Sequence, residues 1–135
     1  MIERFYGFNI AVKDLDEAVK KYSAVFGVEP RYFEEKDFAF PGLKGAQLMI
    51  GDVGINILES MTPDTSIAKF VENKGEGVFL VSVLVDDAEK TMEELAPKGV
   101  KFVSEKPLPS NLGKVAFGHP KSMNGVQWEF LQMDK

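Results

Sequence analysis

An α+β fold made of a tandem pair of βαβββ modules is predicted by three features of this 135-residue sequence. Segments that alternate large apolar with small or polar side chains flank two amphipathic helical stretches, as half-buried strands do. Turn signals at Pro41-Gly42 and Gly51-Asp52 separate the strands of the first half. One offset of 73 positions (81 − 8) carries Phe8, Ile10 and Val12 onto Val81, Val83 and Val85. The same offset carries Ile55 and Ile57 onto Trp128 and Phe130, so both ends of the first half recur in the second.

The elements follow in order. Phe8-Asn9-Ile10-Ala11-Val12 reads as a strand. Asp14 then offers an N-cap, with Glu17 three residues on to complete a capping-box pattern. Leu15, Ala18, Val19, Tyr22, Val25 and Phe26 recur at helical spacing until Gly27 stops the helix. Strands are expected at 31–35, 46–50 and 54–59. A connector over about 62–75 starts at Thr62-Pro63 as cap and first helical residue, shows Ile67, Phe70 and Val71 as one stripe, and ends at Gly75. The pattern then restarts with a strand at 79–85 and a helix for which Asp86 with Glu89 repeats the capping box, and whose stripe of Met92, Leu95 and Ala96 stops at Gly99. Strands at 101–104, 114–118 and 126–132 complete the chain. The first module spans about 5–60 and the second about 77–132, both within a single domain of residues 1–135.

Composition narrows the function. No cysteine is present, which removes disulfides, thiolate nucleophiles and zinc–sulfur sites together. The net charge of −5 argues against nucleic acid as a partner, because phosphate contacts need clustered Lys and Arg. The longest apolar runs fall far short of the roughly 18 residues a membrane span requires, so no membrane partner is expected. No basic segment followed by an apolar one opens the chain, and a cytoplasmic protein is the expectation.

Alternation sorts the strand residues into two faces. Phe8, Ile10, Val12, Ile55, Ile57, Phe79, Val81, Val83, Val85, Val126, Trp128 and Phe130 form a large apolar face, expected to lie under the helices. The opposite face carries Gly7, Asn9, Ala11, Gly54, Asn56, Leu58, Leu80, Ser82, Leu84, Gln127, Glu129 and Leu131. This mixture suits a concave pocket with a few orienting polar groups. A solvated outer face is the alternative, for which four leucines would be a poor choice.

Three stretches carry a family resemblance. They are Asn9-Ile10-Ala11-Val12-Lys13-Asp14-Leu15; Ser66-Ile67-Ala68-Lys69-Phe70 through Gly75-Glu76-Gly77 to Val85-Asp86-Asp87; and Val115-Ala116-Phe117-Gly118-His119-Pro120-Lys121-Ser122 with Gly125-Val126. With them the chain resembles the vicinal oxygen chelate superfamily (the glyoxalase, bleomycin-resistance and dioxygenase group), and within it the methylmalonyl-CoA epimerases. The resemblance implies glyoxalase-like half-barrel sheets, a small-molecule ligand and a homodimer. It also implies a divalent metal held by His, Gln or Glu, His and Glu, two ligands from each module. Those positions fall here at Gly7, Asn56, Leu80 and Glu129, and the chain has one histidine in all. No metal site and no other cofactor are therefore expected, and glyoxalase I, fosfomycin-resistance and extradiol-dioxygenase chemistry are set aside. The glutamate that such epimerases place in the first module aligns with Phe40, beside Glu34, Glu35 and Asp37.

Glu129 is the candidate catalytic residue. Among Leu80, Leu84 and Leu131 its carboxyl would be desolvated, its pKa raised, and its chemistry suited to a general base. It would serve equally as a carboxylate hydrogen-bonded to Asn56, Asn9 or Gln127. Asn9, Asn56, Gln127, Leu80 and Phe40 are candidate ligand-binding residues: the amides could orient a carbonyl or merely fill hydrogen bonds. Phe33, Phe38 and Phe40 could stack on a flat ligand or fold down as a lid. His119 is expected to bond to loop backbone, Lys121 to be exposed and Trp128 to pack in the core. The functions left open are ligand binding in an epimerase-shaped cleft or metal-independent chemistry beside a carbonyl. The alternatives are an isomerase or lyase like methylmalonyl-CoA epimerase or lactoylglutathione lyase, and a scaffold whose site has decayed and whose dimer is the function.

Overall fold

A computed structural model describes residues 1–110 and 112–134. Among these residues the strands are β1 (Ile2–Ala11), β2 (Arg31–Tyr32), β3 (Leu43–Ile50), β4 (Val53–Ser60), β5 (Gly77–Val85), β6 (Leu108–Ser110), β7 (Gly113–Gly118) and β8 (Gln127–Met133). The helices are α1 (Leu15–Phe26), α2 (Ser66–Lys74) and α3 (Ala88–Leu95). The strands form one curled sheet in the order β2-β3-β4-β1-β5-β8-β7-β6. The first strands of the two modules, β1 and β5, pair antiparallel at its centre.

The internal repeat is written into the hydrogen bonds. β1 runs parallel to β4 with Phe8 opposite Ile55 and Ile10 opposite Ile57. β5 runs parallel to β8 with Val81 opposite Trp128 and Val83 opposite Phe130. The Leu15 amide donates to Glu59 Oε1 at 2.8 Å, and 73 residues later the Ala88 amide donates to Gln132 Oε1 at 2.8 Å. In each module the last strand thus satisfies the first amide of the helix. The helices start alike as well: Asp14 accepts from the Glu17 amide at 3.1 Å and Asp87 from the Lys90 amide at 3.0 Å.

The core lies between sheet and helices in two equivalent halves. Leu15 and Val19 of α1 pack on Ile10, Val12, Leu48, Ile55 and Ile57. Ala88 and Met92 of α3 pack on Val83, Val85, Ala116 and Phe130. Each fully buried aliphatic or aromatic side chain here contributes about 1.5–3 kcal/mol relative to exposure. No described helix is long and apolar enough to cross a membrane.

Several expectations are corrected by local chemistry. The N-cap of α3 is Asp87, while Asp86 binds the chain's terminal amine at 2.6 Å on an exposed surface. Asp87→Ala is accordingly expected to cost about 1 kcal/mol, read by urea unfolding, with Asp86→Ala leaving the helix intact. The connector helix begins at Ser66, because the Thr65 hydroxyl accepts from the Ala68 amide at 3.0 Å and makes Thr65, not Thr62, the cap. The strand expected at 31–35 stops at Tyr32. Asp37 accepts from the Glu34 amide at 2.9 Å and starts a turn of 3-10 helix over Glu35–Asp37.

The segment 101–104 keeps only one bridge, Phe102 to Gly118, because the Ser104 hydroxyl donates to Lys106 O and turns the chain away. The edge position passes to Leu108–Ser110, where Pro109 is tolerated for want of a further neighbour. Val126 precedes β8 and is exposed, following Asn124 and Gly125, which both adopt positive φ. Phe79 leaves the helix-covered face: Asn9 pairs with Leu80 and Ile10 with Val78, so Phe79 is extruded as a bulge. Its ring instead meets Phe70 of α2 edge-on at 5.3 Å.

Candidate functional site

On the sheet face opposite α1 and α3 the half-barrel encloses a cleft of ≈ 840 Å³, its open mouth included. The structure brings Asn9, Asn56, Leu80, Gln127, Glu129 and Phe40 together on this one cleft. Five of them rise from the floor on β1, β4, β5 and β8. Phe40 comes from the segment between β2 and β3 and lies over the cleft, 5.8 Å from the Phe117 ring and still 47% exposed. Phe33 and Phe38 line the same side and pack edge to face at 5.6 Å. Ser66 and Ile67 of α2 also contribute to the lining.

The floor has a polar half and an acidic half. In the first, Gln47 and Asn56 face each other across β3 and β4 and are 5% and 7% exposed. Gln47 Nε2 donates to Asn56 Oδ1 at 2.9 Å, and Asn56 Nδ2 donates to Asn9 Oδ1 at 2.8 Å. Gln47 Nε2 also reaches the Tyr6 hydroxyl at 3.3 Å. Gly54 makes room for this: a Cβ there would stand 2.8 Å from Gln47 Nε2. Behind the row, Arg31 Nη2 donates to Gln47 Oε1 at 3.2 Å, and the guanidinium lies 5.1 Å from the centre of the Phe33 ring.

The acidic half is the counterpart in the second module. Offset by 73 residues, the Asn9–Asn56 bond becomes Ser82–Glu129, with the Ser82 hydroxyl donating to Glu129 Oε1 at 2.6 Å. Phe117 occupies the place opposite Glu129 that Gln47 occupies opposite Asn56. Glu129 is half-buried, and what remains exposed of it opens into the cleft beside Leu80, Phe117 and Leu131. Burial raises its carboxyl above the ordinary carboxylate range, and the Ser82 hydroxyl opposes part of that rise. No Lys, Arg or His pairs with it among the described residues. Its hydrogen-bond partner is therefore Ser82, and not Asn56, Asn9 or Gln127.

Away from the floor, His119 Nδ1 accepts from the Lys121 amide at 3.1 Å and caps a turn, while Lys121 is exposed. Trp128 packs against the second core half and lies 6.4 Å from Phe5.

A sequence model of the Glyoxalase/Bleomycin resistance protein/Dioxygenase superfamily matches residues 5–130. The chain belongs to that superfamily. Among superfamily members, the mitochondrial methylmalonyl-CoA epimerase of Dictyostelium discoideum is 29% identical over 119 residues, 87% of this chain and 70% of that protein. The fold superposes on the Streptomyces coelicolor methylmalonyl-CoA epimerase in complex with 2-nitronate-propionyl-CoA with a TM-score of 0.88, 26% identity and 100% of each chain covered. On the methylmalonyl-CoA epimerase of Mycobacterium tuberculosis the TM-score is 0.89 at 25% identity, covering 99% of this chain and 90% of that one.

The divalent metal that the superfamily resemblance implies does not fit the donors at its four positions. Gly7 and Leu80 offer no side-chain ligand. A Cβ on Gly7 would fall 2.0 Å from the Gly54 carbonyl oxygen, so this backbone leaves no space for any side chain there. Leu80 is buried with Val115, Phe117 and Leu131. Asn56 has already engaged both ends of its amide, which leaves Glu129 as the one anionic donor. No group of three or more His, Cys, Asp or Glu gathers anywhere among the described residues.

Sequence reasoning missed Gln47, Tyr6 and Arg31 as parts of the site, and placed Ser82 on the pocket face without pairing it with Glu129. Gln47 carried a usable signal, a lone polar residue between Ala46 and Leu48 in a strand. Arg31 carried none, because its role depends on the pairing of Arg31 with Gln47 across two strands. Asp37, noted only for its nearness to Phe40, lines the cleft.

Proposed function

We propose that the cleft takes a small acyl compound and that Glu129 moves a proton on the carbon beside its carbonyl, without the superfamily's metal. The observation that carries this is a desolvated carboxyl on the floor of an apolar cleft, level with a row of neutral amides. A carboxylate whose pKa is raised by burial is a stronger base than one in water, which suits it to take up a proton from carbon. In the forward step Glu129 accepts the proton, the C–H electron pair moves into the carbon–carbon bond, and charge collects on the former carbonyl oxygen. Return of a proton from Glu129 to the same carbon completes the cycle, and in D₂O the returned hydrogen is a deuteron.

The complex of a related epimerase with 2-nitronate-propionyl-CoA supports an acyl thioester as the class. The lining argues for a neutral acyl group: it carries the acids Asp37 and Glu129 and no Lys, Arg or His among the described residues. A free carboxylate on the acyl group, as in methylmalonyl-CoA, would find no cation among the described lining residues to pair with it. In D₂O with chelator present, the protein is expected to exchange the α-hydrogens of propionyl-CoA faster than that of methylmalonyl-CoA, followed by ¹H NMR. Exchange that stops with chelator and returns with Mn²⁺ or Co²⁺ would refute the metal-free step.

The phenylalanines support a second reading, in which the cleft holds a flat apolar ligand and does no chemistry. Phe33, Phe38, Phe40, Phe79 and Phe117 all line it. Phe40→Ala should weaken binding of such a ligand roughly tenfold, since one aromatic contact is worth about 1.5 kcal/mol. Calorimetric titration checks this, and the exposure of Phe40 means the fold should be indifferent. Binding of that kind with no exchange in any thioester would favour this second reading.

A further inference from the structure

From the direction of the hydrogen bonds we infer that Arg31 sets the orientation of the whole amide row, so that Asn9 presents an N–H donor to a carbonyl oxygen in the cleft. The inference rests on the proposed function for its ligand and supplies what that mechanism lacks, a group to receive charge on the oxygen.

The logic begins with what each side chain can do. A guanidinium donates and never accepts. Arg31 lies against Phe33 and points Nη2 at Gln47, so the Gln47 atom that meets it must be the oxygen. Gln47 then has only its nitrogen left for Asn56, which must answer with Oδ1. Asn56 in turn has only Nδ2 for Asn9, which must answer with Oδ1. Each amide is forced by the one before it, and the last one, Asn9, is left with its NH₂ group. Asn9 Nδ2 has no protein partner among the described residues, and none of their buried side-chain polar atoms lacks one, so this nitrogen is open to the cleft that Asn9 lines.

A chain of hydrogen bonds fed from a cation also polarises each member in the same sense. The terminal N–H is therefore a better donor than an isolated amide, and it is preorganised, which is what stabilising an enolate oxygen requires. Tyr6 repeats the effect: its oxygen accepts from Gln47 and leaves the phenolic hydrogen to donate. Arg31 touches no ligand in this scheme. It is a positioning residue acting through Gln47 and Asn56.

The variant that tests this is Arg31→Glu. Arg31 is exposed on an edge strand, so the fold should tolerate the change. A carboxylate only accepts, so it would draw the Gln47 nitrogen, reverse each amide in turn, and present the Asn9 oxygen to the cleft instead. Arg31→Lys keeps a donor and should keep the direction.

Two readouts are taken by NMR. The first is the side-chain NH₂ resonances of Gln47, Asn56 and Asn9 without ligand, where Arg31→Glu should move all three and Arg31→Lys should leave Asn9 near its wild-type position. The second is the ratio of affinities for acetophenone, which only accepts, and indole, which only donates. The preference for acetophenone should fall about tenfold in Arg31→Glu and persist in Arg31→Lys.

An Asn9 resonance that ignores Arg31→Glu while Gln47 moves would overturn the relay, whatever the cleft binds. If the resonances move but neither probe binds the wild type, the relay's direction stands, and both the acyl-ligand reading and Asn9's part in it fall. If both probes bind with a ratio that Arg31→Glu leaves unchanged, Asn9 is not the donor.

Discussion

Glu129→Gln should lower α-hydrogen exchange by about 100-fold or more while leaving the protein folded and, at neutral pH, more stable than the wild type. The kinetic half follows from losing the group that accepts the proton, an effect general bases commonly show at roughly 10²–10⁴. The stability half follows from linkage. Burial holds the Glu129 carboxyl above its ordinary value, so the folded chain keeps this proton to higher pH than the unfolded chain does. Between the unfolded and the folded pKa the native state binds more protons, and stability falls as pH rises through that window. Above it the loss is complete and constant.

Glutamine cannot ionise and retains an oxygen to accept the Ser82 hydroxyl, so the variant should lack this fall altogether. Urea unfolding of both proteins from pH 4 to pH 8 is the measurement. The two curves should agree at the acid end and diverge upward, the variant lying above. Parallel curves would mean that the carboxyl is effectively solvated in the open cleft. Its claim to be an activated base would fail with that result, even if exchange itself were lost.

How far the site was legible from the sequence depended on which strand periodicity carries it. The residues at even spacing along single strands, Asn9, Asn56, Leu80, Gln127 and Glu129, fell on one face by alternation and lie on one cleft. Phe79 broke the rule because a bulge reverses the alternation, and a bulge leaves no mark when both neighbours are apolar. The partner of Glu129 was misassigned for a related reason. Asn56, Asn9 and Gln127 were the polar groups in view, but register puts Ser82 directly opposite Glu129 on β5.

The repeat at 73 residues held the better clue, since it maps Asn9 and Asn56 onto Ser82 and Glu129 and so pairs each with its true neighbour. What no pattern could supply was the direction of the amide row. That direction comes from one arginine on a two-residue strand, brought to Gln47 only by the pairing of β2 with β3.

Gly7→His, the substitution that would put an imidazole at one of the four metal positions, is expected to destabilise the fold by about 3 kcal/mol rather than to begin rebuilding a site. The cause is the backbone and not the imidazole. Gly7 pairs with Gly54 across the parallel β1–β4 ladder, and a Cβ on it would stand 2.0 Å from the Gly54 oxygen. Real structures do not sustain such an approach, so β1 must lift away from β4. That movement separates Asn9 from Asn56, which sit two residues along the same two strands and share a 2.8 Å hydrogen bond.

Gly7→Ala tests the account, because it adds the Cβ and nothing else. If the clash governs, Ala should lose nearly as much stability as His in denaturant unfolding, and neither variant should recover it with Mn²⁺, Co²⁺ or Zn²⁺. An alanine variant as stable as the wild type would show that the strands part at little cost. Metal-dependent recovery of the histidine variant alone would mean that Asn56 and Glu129 still suffice to bind an ion once a third ligand is supplied. Two glycines facing each other here therefore bar the superfamily's metal through backbone geometry as well as through absent ligands: a single substitution cannot restore a histidine at this position until the β1–β4 spacing has changed.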